Sequence, residues 1–163
     1  MIFTPEELAQ VRAQAEAEYP AECCGVLLTR EGAPADRLLF LCRNIQDELH
    51  AKDPVRHPRD SRTAYFIDPK DLLAIGRQEA QGYRVAVIHH SHIDAGAYFS
   101  PTDKQNALID GEPAYPGALY VVLSVASGTV VDSKAFAWDP HQRDFVPRES
   151  DSPELTAGRS GGN

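Results

Sequence analysis

Val85-Ala86-Val87-Ile88-His89-His90-Ser91-His92-Ile93-Asp94-Ala95-Gly96-Ala97-Tyr98-Phe99-Ser100-Pro101-Thr102-Asp103 is the stretch on which the reading of this chain turns. Its first four residues form a short apolar run with β-branched members, the mark of a buried strand. Side chains on a strand alternate faces, so His90 and His92 point one way while His89 and Ser91 point the other. Two imidazoles on one face at a strand end are candidate metal ligands. Asp103, one helical turn after Ser100, is a candidate third. Three nitrogen and oxygen ligands with one open position is the arrangement of a catalytic zinc site. A His-x-His alone is a weak signal, because a strand-end histidine is commonly structural or merely exposed.

Outward from that stretch, the chain is 163 residues long and 42% hydrophobic. This fits one globular domain with a core of its own. With 24 acidic against 16 basic residues the formal net charge is −8. That balance argues against nucleic acid as the main partner, since a phosphate backbone needs a basic face. The cysteines are Cys23, Cys24 and Cys42. An odd number with two adjacent is no disulfide framework and suits a reducing compartment. No basic-then-apolar leader and no membrane-length apolar run is evident, so the expectation is a cytoplasmic protein with no membrane role.

Thr4-Pro5-Glu6-Glu7 opens a helix, with Thr4 as cap and Glu7 completing a capping box; Pro20 stops it after Tyr19. The acidic residues Glu6, Glu7, Glu16 and Glu18 read as a solvated face. Glu22-Cys23-Cys24-Gly25 leads into a strand, and Arg37 to Cys42 is expected to pair with it as a hairpin. Residues 44–62 read as a long charged loop, a flap or binding segment; Asp47, Glu48, His50 and His57 lie there without a metal role. Thr63 to Ile67 reads as a short strand. Asp68-Pro69-Lys70-Asp71 opens a helix that Gly82 ends. Ser100-Pro101-Thr102-Asp103 opens another, expected to reach about Asp110. Ala118 to Val125 and Thr129 to Trp138 form a hairpin about Ser127-Gly128. Together these elements make an α/β fold, one mixed sheet flanked by helices, with a parallel pair at its long crossover. Residues 1–146 are expected to be the domain and 147–163 a disordered tail rich in Ser, Gly and Glu.

Two chemical readings compete at several positions. Ser100 and Asp103 repeat the cap-to-acid spacing of Thr4 and Glu7, so a purely structural capping box accounts for them. Ser100 is able to do both, accepting from its helix while its hydroxyl proton points at substrate. Asp103 is harder to share, because a carboxylate on zinc has less to offer a backbone N–H. Glu22, just before an apolar strand, is either an exposed loop acid or a general base beside the metal. Cys23 or Cys24 with His90 is an alternative nucleophile and base, though burial is the commoner fate of cysteine. A zinc deaminase needs a Cys-x-x-Cys, which this chain lacks.

Taken together, Glu22, then His90-Ser91-His92, then seven residues and Ser100-x-x-Asp103, resemble the JAMM motif of the JAB1/MPN metalloprotease family at its five core positions. Glu22-Cys-Cys-Gly before a strand and Tyr65-Phe-Ile-Asp-Pro before a helix are similar to small bacterial members, and the resemblance runs from about Pro5 to Trp138. It implies a JAB1/MPN core like that of cytidine deaminase. It implies one zinc ion held by His90, His92 and Asp103, with water as fourth ligand. Glu22 would be the general base and later proton donor, and Ser100 would donate to the oxyanion. The implied reaction is hydrolysis of a peptide or isopeptide bond after the Gly-Gly of a ubiquitin-like or sulfur-carrier protein. Ile93 stands where many deubiquitinating members carry proline, and the chain is short for their large insertions. Both points favour a bacterial ubiquitin-like or sulfur-carrier substrate over ubiquitin. The alternative class is a metal-free MPN-type scaffold that binds protein partners, and such members usually lack some of the five residues.

Overall fold

Helix α1, Pro5–Glu18, begins where Thr4 and Glu7 cap each other reciprocally, as a Thr-x-x-Glu spacing requires. Strands β1 (Cys24–Arg30) and β2 (Ala33–Cys42) then form an antiparallel hairpin. Helices α2 (Gln46–Lys52) and α3 (Pro69–Glu79) precede β3 (Tyr83–Ile93), the central strand. Helix α4 (Pro101–Asn106) and the small pair β4 (Leu108–Ile109) and β5 (Glu112–Pro113) lead to β6 (Leu119–Ala126), β7 (Thr129–Asp139) and β8 (Asp144–Arg148). This arrangement comes from a computed structural model, which describes residues 1–148.

The six long strands form one mixed sheet in the order β2-β1-β3-β6-β7-β8, and β3 and β6 are its parallel pair. The α/β class with a mixed sheet and flanking helices is as expected. Alternation along β3 divides the core between the two faces. Ile88 joins Val26, Leu28, Ile75, Tyr120 and Val122 on the α3 side. Val87 joins Leu27, Val121, Leu123, Val11 and Ala15 on the α1 side. His90 therefore faces the α3 and α4 layer, and His89 faces α1. Among the described residues no helix is long and apolar enough to cross a membrane.

Several local expectations are corrected. The 44–62 segment is not all loop: α2 lies within it, and the Asp47 carboxylate accepts from the backbone N–H (2.7 Å) and hydroxyl (2.8 Å) of Ser61, folding the segment back on itself. Thr63 to Ile67 is not a strand; it makes a single bridge, Asn44 to Ile67, because Asn44 Oδ1 takes the Phe66 N–H. The helix after Ser100 stops at Asn106 rather than near Asp110, since Leu108–Ile109 and Glu112–Pro113 pair around a turn with Asp110 and Gly111 at positive φ. The α1 acids are not all a solvated face. Glu7 pairs with Arg37 at 2.6 Å, and Glu16 accepts from the Val130 N–H. The sheet also continues further than expected, since β8 takes in Pro147 and Arg148. The remainder of the proposed tail lies outside the described residues.

His89 needs polar company on its apolar side. Its Nε2–H donates to Gln14 Oε1 (2.9 Å), and Gln14 Nε2 donates to the Cys24 carbonyl (2.8 Å). Burial pushes His89 down to about 3, so this ring is a neutral strut between α1 and the sheet. Gly25 is what admits it: a Cβ at that position would lie 2.5 Å from the Phe40 carbonyl oxygen and against the His89 ring. Neither neighbour can yield, since one is backbone and the other is buried. Gly25→Ala is expected to destabilise the protein by about 3 kcal/mol or more, read as a lowered denaturant midpoint.

Candidate metal centre

Strand β3 carries His90 and His92 to the end of the sheet on one face, and α4 brings Asp103 across from it. His90 is 0% exposed and His92 6%. The three reactive atoms form a near-equilateral triangle. His90 Nε2 and His92 Nε2 are 3.3 Å apart, and they lie 3.2 and 3.1 Å from the same oxygen, Asp103 Oδ2. A tetrahedral ion with ligands at about 2.0–2.1 Å has edges of about 3.3 Å, so the triangle has the size of one face of such a site.

Proton placement decides what this triangle holds. His92 Nδ1 is 2.9 Å from the Gly96 carbonyl oxygen, which only accepts, so the ring proton sits there. In the neutral ring, the form that binds a metal, His92 Nε2 then presents its lone pair toward a carboxylate oxygen at 3.1 Å. Two acceptors at that distance repel unless a cation lies between them. Burial works to raise the Asp103 carboxyl, while donation and positive charge from protonated His90 and His92 hold it well below the usual carboxylate range, so the carboxylate calls for positive charge in the triangle, from the rings or from an ion. Two neutral imidazoles and one carboxylate are a donor set suited to zinc. The residues fit the ion.

Asp103 is also the capping acid of α4. Ser100 N donates to Asp103 Oδ2 and Asp103 N donates to Ser100 Oγ, both at 3.0 Å. The capping contact and the approach to both imidazoles, set against each other in the sequence, fall on one oxygen. The Ser100 hydroxyl accepts from the helix, which leaves its own proton free to donate elsewhere.

Glu22 reaches the centre by register. Cys24 pairs with His90, and the Ser91 N–H donates to the Cys23 carbonyl, so continuing the antiparallel pairing sets Glu22 opposite His92. Its backbone is held at both ends, by the Ser61 carbonyl (2.7 Å) and by Asn44 Nδ2 (2.9 Å). Glu22 is 5% exposed. Burial first, then the Asp103 charge, pushes its carboxyl up to about 9, and Arg59 opposes them. Raised that far, the carboxyl is protonated at neutral pH while the centre holds no cation, and a divalent ion beside it would draw it back toward the carboxylate.

Two aromatic walls went unread in the sequence. Tyr65 stacks on His90 with ring centres 4.8 Å apart, and Tyr98 meets His92 edge-on at 4.8 Å. Tyr65 was visible as part of Tyr65-Phe66-Ile67-Asp68-Pro69, but nothing in that run announces which ring it covers. Asp94, at positive φ, accepts from Tyr19 (2.7 Å), Arg62 (3.2 Å) and the Ser127 N–H (2.9 Å), tying the loop after His92 to three other segments. The cysteines lie apart from such chemistry. All three are buried and free; burial pushes the Cys23 thiol up to about 12 and the Cys24 thiol well above its ordinary value.

Residues 4–140 match the family of prokaryotic homologs of the JAB domain. The chain is 28% identical over 118 residues to the desampylase of Haloferax volcanii, with 72% of each protein covered. It is 35% identical over 94 residues to Tail tip assembly protein K of Escherichia phage N15. That second match takes in 58% of this chain but 31% of the phage protein, so the chain spans about a third of that relative's length. Two solution structures share the fold. Protein DSY2949 of Desulfitobacterium hafniense superposes with a TM-score of 0.60 at 21% identity, covering 90% of this chain and 88% of its own. A protein of Salinibacter ruber gives 0.56 at 26% identity, covering 93% and 92%.

Proposed function

The chain belongs to the prokaryotic homologs of the JAB domain, and from that premise we propose that it is a zinc-dependent hydrolase of ubiquitin-like modifiers, cutting a peptide or isopeptide bond after a C-terminal Gly-Gly. The observation that carries this reading is the convergence of His90 Nε2, His92 Nε2 and Asp103 Oδ2 in a triangle of zinc dimensions. Kinship with a desampylase supports the substrate class. A sulfur-carrier protein ending in Gly-Gly has the same chemistry at its terminus and belongs to the same proposal.

In this reading His90, His92 and Asp103 hold the ion. Zinc held there supplies Lewis-acid polarisation of water and of the scissile carbonyl. Glu22, opposite His92 and buried, takes the proton from the attacking water at its carboxylate and returns it to the leaving amine. The Ser100 hydroxyl donates to the oxygen that becomes negative when the carbonyl carbon turns tetrahedral. Tyr65 and Tyr98 brace the two imidazoles and keep bulk water from their faces.

The test is a zinc determination paired with mass-resolved cleavage. One zinc per chain is expected, with Gly-Gly conjugates cut, chelation abolishing turnover and zinc restoring it. Turnover indifferent to chelation would overturn the reading, as would an inert zinc-loaded protein that binds conjugates without cutting them, the behaviour of a scaffold. The thiol alternative has its own check. Cys23→Ala and Cys24→Ala are each expected to keep turnover within about threefold of wild type, because a thiol whose pKa is raised by burial is not a nucleophile at neutral pH. A dead variant with full zinc content would revive it.

A further inference from the structure

A cavity of about 700 Å³ lies beside the metal centre, on the α3 and α4 face of the sheet. It shares walls with the centre: Tyr65, stacked on His90, lines it, as does Thr102, the neighbour of Asp103. Its floor is apolar, built from Ile75, Val85, Ile88 and Tyr120. Exposed Phe66 and Leu72 line it as well. Its charged lining is of one sign. Arg56 and Arg59, with the polar His57 beside them, line the cavity from the segment between α2 and α3, and among the described residues no Asp or Glu does. In a chain with 24 acidic residues and a net charge of −8, that is a local inversion of sign. Arg59 donates to the Thr63 carbonyl (3.4 Å) and faces Glu22, whereas Arg56 is not spent internally. Asp53 and Asp60 nearby accept from backbone N–H groups of Arg56 and Arg62. Among the described residues, the Arg56 guanidinium and the His57 ring have no hydrogen-bonding or ionic partner.

An apolar floor with an unpaired guanidinium at one rim selects a ligand with two parts. A large hydrophobic group displaces water from the floor, and an anion answers the guanidinium. A glycine-only segment would use neither. We infer that this cavity is a specificity subsite for a substrate residue that joins a bulky aromatic or aliphatic side chain to a carboxylate. It rests on the hydrolase reading in the sense that the subsite serves the same centre. The side chain lies on Ile88 and Tyr120, and the carboxylate meets Arg56 and His57. Selectivity thus extends beyond the Gly-Gly that the reaction itself demands.

The experiment measures binding, without turnover. N-acetyl-L-phenylalanine is titrated into the metal-free, ¹⁵N-labelled full chain, so that zinc cannot capture the carboxylate. Backbone amide shifts are expected to cluster at residues 56–59 and 102–107. N-acetylglycine, lacking the ring, and N-acetyl-L-phenylalaninamide, lacking the carboxylate, are each expected to bind about tenfold more weakly. Arg56→Glu, at an exposed position, is expected to weaken the acid about tenfold and leave the amide unaffected. Equal affinity for acid and amide, or shifts confined to other surfaces, would overturn the subsite. Cleavage of a Gly-Gly conjugate without probe binding removes the subsite and leaves the hydrolase. Probe binding in a protein that cleaves nothing removes the hydrolase, and with it the substrate role of the cavity, and leaves a binding site for an apolar carboxylate.

Discussion

Glu22→Gln is expected to retain zinc and lose turnover by about 10³-fold, the scale of general acid–base catalysis, and to make the metal-free protein more stable at pH 8. The first half follows from position. Glu22 stands opposite His92 but is not among the three converging ligand atoms, so its removal leaves the triangle intact. The second half follows from burial. An unfolded glutamate ionises near 4.5, whereas this one is held up to about 9 in the fold. The folded protein therefore binds the proton more tightly than the unfolded chain. Below pH 4.5 both states are protonated and the difference vanishes. As pH rises from 4.5 toward 9, the unfolded chain gains free energy by ionising and the folded protein does not, so stability falls. Glutamine carries no such penalty. At pH 8 the variant should exceed wild type by on the order of 2–4 kcal/mol in denaturant unfolding with chelator present, the gap closing toward pH 4.5. Near-normal turnover would remove Glu22 as the base. Equal stability at pH 8 would mean that its carboxyl is not buried in solution.

The same residue shows why part of this site was legible in the sequence and part was not. The face shared by His90 and His92 follows from a period of two, which holds in any strand, and the apolar run before them marks the strand. Ser100 and Asp103 follow from the local rules of a helix start. Glu22 meets the histidines across a strand pairing 68 residues long in sequence, Cys23 to Ser91, and no local pattern encodes that. Its place before an apolar strand leaves it open between an exposed loop acid and a general base, and resemblance to a family supplies the choice. What misled was also physical. The acid-and-proline signature that opened α4 says nothing of where the helix stops, and a turn at Asp110 and Gly111 ended it early. Thr63 to Ile67 has the residue types of a strand but no free edge to pair with, because Asn44 intercepts the Phe66 N–H. The apparent loop at 44–62 is pinned by Asp47 to Ser61, an Asp–Ser contact across 14 residues that composition does not reveal.

Asp103→Asn separates the capping contact that Asp103 Oδ2 makes from the metal-ligand role proposed for it. As a capping residue, Asp103 needs only an acceptor to meet the Ser100 N–H at 3.0 Å, and an asparagine carbonyl supplies one. Capping contributions are about 1 kcal/mol, so the variant should unfold within about that much of wild type. As a ligand, Asp103 brings the only formal negative charge in the triangle, against two imidazoles 3.2 and 3.1 Å away. Asparagine removes that charge while keeping the shape. Zinc affinity is expected to fall by at least about a hundredfold, the upper range for losing a supporting group at a metal site, and turnover at equal total zinc to fall with it. A competitive chelator titration reads the affinity, and an unfolding curve in excess chelator reads the cap. A variant that keeps zinc but loses several kcal/mol would make Asp103 a helix cap and nothing more. A stable variant that has lost zinc would put the charge, and not the local helix geometry, at the origin of metal binding.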